Sequence, residues 1–378
     1  MFPVTSCFEF SPWELVQLTS LQMYEGTTAS IKGMKTSFDV LIGCRQGGQE
    51  SPCIFNYYFD YVLKVAAHEI DKEFPDGWGI PYQFEISHLC SNRSQRRNGK
   101  LHGREIMKWI LYADDVLLFC TTIAEAEKIL NILNDAWKRF GLTISFKKTK
   151  TQVFNDVDLS KQKSLFSIGS ESIENVQSFT YLGQVISNNT NTCFTQHRIE
   201  RAIVKFNELR KVLCDVNINI NTRRKILEAC VRSRLTYGTA AWFPNEQELQ
   251  KLENCWNQFQ GDMVKGGWKR RNAEGDEADY AFVYSNERIR DILKTEPLQK
   301  FVYSQYLRYV GHICRGENTD LTKIMLFANP TRPYYRDPWI KISNLLGVSV
   351  EQAKRMTKSK IEFARLIRQC VGLTPKWK

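Results

Sequence analysis

The sequence predicts an α+β fold: an antiparallel sheet with packed helices over the first half, then helices almost alone. Three observations predict it. Short apolar or alternating segments, punctuated by glycine and polar turns, recur as far as about residue 190. From about 195 the apolar spacing turns helical, a composition shift that marks a domain boundary. Within the first half, the run Trp109-Ile110-Leu111-Tyr112-Ala113-Asp114-Asp115-Val116-Leu117-Leu118-Phe119 is apolar except for two adjacent aspartates. The run itself has the composition of buried strand, and burying two neighbouring carboxylates there is costly unless they are paired or bind a metal. A break at Ala113-Asp114 avoids that cost. It makes a hairpin whose tip holds both carboxylates at the sheet edge, where oxygen ligands suit a hard cation. A plain turn between two core strands explains the tetrapeptide alone equally well.

In chain order, Trp13, Leu15, Val16, Leu18 and Leu21 through Tyr24 recur at helical spacing after Ser11-Pro12, and Gly26 stops them. Ala29 to Ile42 predicts two short strands around Lys32-Gly33-Met34. The loop Gly43 to Pro52 follows, and Ser51-Pro52 opens a helix bearing Ile54, Phe55, Tyr58, Phe59, Val62, Leu63 and Ala66. Arg45 and Gln46 in that loop have the chemistry to touch a phosphate or a base edge, although a loop and a helix cap need nothing more. Residues 75–104 have a loop-like composition and include the basic run Arg93 to Lys100.

After the paired aspartates, Ile123, Ala126, Ile129, Leu130, Leu133, Trp137 and Phe140 mark an amphipathic helix stopped at Gly141. Gly141 to Lys150 predicts a strand emerging into three lysines, resumed at Val153-Phe154. A second hairpin is expected at Leu165–Ile173 around Gly169-Ser170, and then a strand Phe179 to Gly183 with a bend at Gly183. Beyond 195, Ile199, Ile203, Phe206, Leu209 and Leu213 share a helix face opposite Arg198, Arg201, Lys205 and Arg210. Thr222 is the expected cap of a second helix running to Gly238, with Arg223, Arg224, Lys225, Arg232 and Arg234, and a third helix spans roughly 246–263. Two successive basic faces are suited to tracking a phosphate backbone, or are simply solvated. A charged linker with Lys269-Arg270-Arg271, helices over 285–315, a proline loop and a basic helical tail complete the chain.

With 378 residues, 43% hydrophobic and 12% aromatic, the chain has the makings of two to three domains with real cores. The net charge of +11 favours a polyanionic partner, nucleic acid ahead of a membrane surface. Eleven cysteines stand singly with no C-x-x-C pair, the usage of a reduced intracellular chain. No apolar stretch reaches the length of a membrane span.

Four segments now stand in a telling order: Arg45-Gln46-Gly47 with Ser51-Pro52 and Phe55-Asn56, then Tyr112-Ala113-Asp114-Asp115, then Gly141-Leu142 with Lys148-Thr149, and finally Phe179 with Tyr181-Leu182-Gly183. In order and spacing they resemble the palm motifs of non-LTR (LINE-type) retrotransposon reverse transcriptases, over roughly residues 12–260. The resemblance implies a partial palm over 1–190, a helical thumb over 195–263, and a basic C-terminal region of open role over 264–378. It implies RNA-directed DNA synthesis, with an RNA template, a DNA primer and deoxynucleotides as partners and no membrane. Asp114 and Asp115 would be the catalytic, metal-holding pair for Mg²⁺ (or Mn²⁺). Arg45, Gln46, Gly47 and Tyr112 would border the nucleotide and template base, and Lys148 the triphosphate. Tyr181, Leu182 and Gly183 would grip the primer end.

The departures are informative. The family carries another essential aspartate on an earlier strand, and its fingers precede that strand. The chain begins after both, so the resemblance implies a truncated copy, with Glu9 and Asp39 as poor substitutes. Ser145 stands where the family usually has Asn, and Gly48-Gln49-Glu50 fills a loop that is often more apolar. A non-catalytic nucleic-acid-binding remnant is the alternative. Access to chromosomal DNA implies a nuclear or cytoplasmic location.

Overall fold

The computed structural model describes residues 28–30, 37–39, 48–49, 51–85, 102–187, 192–264, 284–317, 320–327 and 338–371. They form a mixed α+β architecture of small sheets and many helices, as the sequence predicts. By its contacts the chain divides into two compact units. One comprises residues 1–82, 105–151 and 164–174, the other residues 83–104, 152–163 and 175–378. The expected helix at 12–24, Glu9, Arg45, Gln46, Gly47, the basic run 93–100 and Lys269-Arg270-Arg271 lie outside the described residues.

In the first unit, β1 (Thr28–Ser30) and β2 (Ser37–Asp39) pair antiparallel, Thr28 opposite Asp39. Helix α1 (Ser51–Glu73) opens on Ser51-Pro52, where the missing proline N–H would have had no helical partner anyway. It is followed in the chain by β3 (Ile80–Glu85) and β4 (His102–Met107), of which residues 80–82 and 105–107 belong to this unit, then by β5 (Trp109–Tyr112), β6 (Asp115–Leu118) and α2 (Ile123–Arg139). Ile129, Leu133 and Ala136 of α2 meet Ala66, Ile70 and Trp78 in one core. Arg139 forks onto the Glu69 carboxylate at 2.5 and 2.7 Å, tying the two helices at their rims. Thr122 caps α2 by accepting from the Glu125 N–H at 3.1 Å, and Gly141, at φ +70°, lies just past its end. The hairpin of β8 (Ser164–Ile168) and β9 (Glu171–Asn175) turns at Gly169-Ser170 as expected, and buries Phe166, Ile168 and Ile173 against Ile123, Ala126 and Leu130.

Three expectations fail over residues 75–154. Residues 75–104 are not one loop, because they hold β3 and the start of its partner β4; Pro81 is compatible with a two-stranded ribbon, in which one strand edge has no partner. The strands around the paired aspartates form a two-stranded ribbon whose Ile110, Leu111 and Tyr112 are 41%, 40% and 62% exposed, not buried strand. Gly141 to Lys150 is not a strand. The Lys148 and Thr149 N–H groups both donate to the Ser145 carbonyl at 2.9 Å, and the Thr149 hydroxyl joins them at 3.0 Å. Local bonding of this kind competes with a sheet ladder. Only β7 (Lys150–Thr151) pairs, on β9, and Val153-Phe154 falls outside the strands.

The second unit contains the short helix α3 (Val157–Lys161) and the hairpin of β10 (Ser178–Tyr181) and β11 (Gln184–Ser187), then helices. These are α4 (Thr192–Leu213), α5 (Ile220–Ile226), a π-helical turn Leu227–Arg232, α6 (Ser233–Leu235), α7 (Thr239–Trp242) and α8 (Glu246–Val264). Then come α9 (Asn286–Leu293), α10 (Leu298–Arg315), α11 (Leu321–Phe327), α12 (Pro338–Leu346), α13 (Val350–Met356) and α14 (Lys360–Val371). Phe206, Leu227, Val231, Leu252, Trp256 and Phe259 centre its core, with Phe206 and Phe259 stacked at 4.7 Å.

The second helix beyond 195 is capped by Asn219, which accepts from the Asn221 N–H at 2.9 Å, and not by Thr222. The basic faces are also only partly surface. Arg198 and Arg223 are both 6% exposed. Arg223 donates to the carbonyls of Leu213 at 3.2 Å and Met263 at 2.8 Å, satisfying helix C-termini that have no donors of their own, and to the Ile218 carbonyl at 2.9 Å in the segment before α5. Arg224 reaches the Leu293 carbonyl at 3.0 Å, and the Arg232 guanidinium lies 4.3 Å from the Phe301 ring.

Candidate active site

Asp114 and Asp115 stand at the tip of the β5–β6 hairpin. Trp109 pairs with Leu118, Leu111 with Val116 and Tyr112 with Asp115, leaving Ala113 and Asp114 as a two-residue turn. Ala113 takes φ +51°. A positive φ at the first turn position fits the twist of a hairpin, yet costs an alanine about 1–2 kcal/mol. Both carboxylates are exposed, and neither is ion-paired among the described residues.

The foot of the hairpin is anchored on both strands. Before β5, Lys108 Nζ donates to Asp71 Oδ1 at 2.8 Å, and Trp78 Nε1 donates to the same oxygen at 3.1 Å. The Lys108 hydrogen bond, opposed by burial, holds the Asp71 carboxyl below its ordinary value. The Lys108 carbonyl accepts from the Phe119 N–H at 2.9 Å and closes the ribbon, while Trp78 packs edge-on against Trp109 with centroids 5.3 Å apart.

After β6, the Glu125 carboxylate accepts from the Gly79 N–H at 2.8 Å, the Thr121 N–H at 2.5 Å and the Thr121 hydroxyl at 2.8 Å. Burial alone would raise the Glu125 pKa; the donors outweigh it and hold the group below its ordinary value. Burial, aided by the charge of Glu125, pushes the neighbouring Cys120 thiol up to about 12. These supporting residues were not anticipated as such, although Thr122-Ile123-Ala124-Glu125 carries the spacing of a capping box.

Tyr112, Asp114 and Asp115 therefore share one hairpin. Lys148 is exposed on the turn at 145–149 of the same unit. Tyr181, Leu182 and Gly183 lie in the other unit, where Leu182 at φ +47° and Gly183 at φ +74° form the two-residue turn of the β10–β11 hairpin. Among the described residues no three His, Cys, Asp or Glu side chains gather to hold a metal. The exposed pair at the hairpin tip nevertheless offers hard oxygen donors suited to Mg²⁺, which takes one or two carboxylates together with substrate phosphates and water.

Residues 6–186 match the family model of reverse transcriptase (RNA-dependent DNA polymerase). A Caenorhabditis elegans protein described as transposon-derived is 25% identical over 235 residues, which is 61% of this chain and 80% of that protein. The aspartate hairpin lies inside the matched stretch. No helix among the described residues is long and apolar enough to cross a membrane.

Proposed function

We propose that this chain carries the RNA-directed DNA polymerase centre of a non-LTR retrotransposon, extending a DNA primer on an RNA template. The observation that carries this is the hairpin at 109–118, whose exposed Asp114 and Asp115 have no cationic partner among the described residues, within the stretch matched to reverse transcriptases. In the reaction the primer 3′-hydroxyl oxygen bonds to the α-phosphorus of a deoxynucleoside triphosphate. The bond from that phosphorus to the pyrophosphate oxygen breaks, and the hydroxyl proton passes to solvent. Asp114 and Asp115 would hold Mg²⁺ or Mn²⁺, which when bound lowers the hydroxyl pKa and neutralises the leaving pyrophosphate. Lys148 would offset charge on the triphosphate, while Arg45, Gln46, Gly47 and Tyr112 would border the nucleotide and template base. Tyr181, Leu182 and Gly183 would hold the primer end.

The same proposal assigns palm to 1–190, thumb to 195–263 and an unassigned basic region to 264–378, with a location, nuclear or cytoplasmic, that gives access to chromosomal DNA. Mg²⁺-dependent primer extension on an RNA template, run beside Asp114→Ala, tests it. Extension by the parent and its loss in the variant, by 10³-fold or more on the order expected for removing a metal ligand, is the expected result. A folded, primer-template-binding parent that does not extend would leave a nucleic-acid-binding module in place of a polymerase.

A further inference from the structure

We propose that Tyr237 is a positioning residue for the primer end, acting through the Leu182–Gly183 turn; this rests on the assignment of that turn to primer holding. A leucine with positive φ is strained, so the turn draws on support beyond its own strands. Tyr237 supplies it. Its hydroxyl donates to the Leu182 carbonyl at 3.0 Å. Its ring lies beneath Gly183, where an added Cβ would sit 3.4 Å from Tyr237 Cε1. Gln184, the first residue after the turn, donates through Nε2 to the Tyr237 carbonyl at 3.2 Å.

The support is itself seated. The Arg198 guanidinium stands 4.9 Å from the centre of the Tyr237 ring and 3.5 Å from Gln184 Oε1. Arg198 is 6% exposed, and its Nε finds no acceptor among the described residues. A buried guanidinium placed so is held by the ring face and by Gln184. Tyr237 is 49% exposed, so one side of it remains open beside the turn. The π-helical turn Leu227–Arg232 just upstream changes the phase in which the chain delivers Tyr237, and Gly238 at φ +76° turns the backbone away directly after it. Tyr237 also lies beyond residue 186, where the family match ends, so this chain supports the turn from outside the matched segment.

The test compares Tyr237→Phe, which keeps the ring and removes the hydrogen bond, with Gln184→Ala, which removes the second tie. Steady-state extension is expected to show the KM for primer-template raised about fivefold, the worth of one hydrogen bond, with kcat and the KM for deoxynucleotide unchanged. Fluorescence anisotropy, which needs no turnover, is expected to show the preference for a recessed 3′ end over a blunt duplex reduced by a similar factor. Asp114→Ala should keep that preference. Folded variants with unchanged primer-template KM and end preference overturn the proposal, as does an equal fall in every parameter. Should the parent fail to extend, the polymerase reading fails and anisotropy still decides: a parent without end preference overturns the role of Tyr237, and a preference weakened in both variants supports it.

Discussion

Glu125 shows how a buried charge can serve as a fastener. Its carboxylate gathers donors from Gly79 and Thr121, on either side of the aspartate hairpin. Glu125→Gln keeps the shape but puts an amide where donors converge, and should cost about 2 kcal/mol in chemical denaturation. The pH dependence has a definite sign. The folded pKa lies below the ordinary 4.5, so the stabilisation is fully present above that value and fades as pH falls through the folded pKa. The stability gap between parent and variant should hold at neutral pH and close in acid; a gap that widened on acidification would contradict the hydrogen-bond assignment. The thiols give a second test at this scale. Burial pushes Cys120 and Cys314 up to about 12 and Cys255 to about 11, whereas Cys53 is exposed. Iodoacetamide at pH 8 followed by mass mapping should label Cys53 well before those three, which should react only on unfolding.

At the scale of elements, the aspartate hairpin was legible because two carboxylates in an apolar run leave the chain few other solutions. What the run did not reveal is that its strands would be half exposed, since apolar composition alone cannot tell a ribbon from a core strand. The 141–150 segment misled for the opposite reason: Thr143, Ile144 and Phe146 suit a strand by propensity, yet the Ser145 carbonyl draws three donors into a turn. Strands β3 and β4 were hidden among prolines, glycines and basic residues. Within that region Gly79 is the most constrained position. It takes φ +98°, and an added Cβ would fall 2.5 Å from the Met107 carbonyl oxygen. The atoms it would meet are the backbone of Met107 and Lys108, with no flexible side chain to yield, so Gly79→Ala should destabilise by about 3 kcal/mol or more. Gly141→Ala meets nothing within 4 Å and should cost only the backbone strain, about 1–2 kcal/mol. Equal thermal shifts for the two would show that β4 is not packed where the structure has it.

Over the whole molecule, the charge of +11 overstates what is available to a polyanion. Charge is legible in a sequence, but its employment is not, because a guanidinium serves a helix carbonyl, an aromatic face or a phosphate with the same five donors. Arg223 and Arg224 are taken by carbonyls, while Arg198 and Arg232 lie against aromatic rings. Exposed basic charge persists on another part of the helical unit. Arg201 on α4 and Arg234 on α6 are exposed, whereas Lys205 is half-buried and ion-paired with Glu208 at 2.8 Å; the Lys205 hydrogen bond, with a smaller contribution from Arg234, lowers the Glu208 pKa. If nucleic acid binds there, each phosphate contact contributes about −0.9 to the slope of log affinity against log salt. Four contacts would lower affinity by roughly a hundredfold between 50 and 200 mM salt. The double substitution Arg201→Gln with Arg234→Gln should flatten that slope by about 1.8 and leave thermal stability almost unchanged. Arg223→Gln should do the reverse, lowering stability by about 3 kcal/mol as three carbonyls lose their donor and leaving the salt slope of the folded fraction as it was. Salt titrations of all three proteins by fluorescence anisotropy separate the two kinds of arginine, and an affinity that does not vary with salt in the parent would remove electrostatic binding altogether.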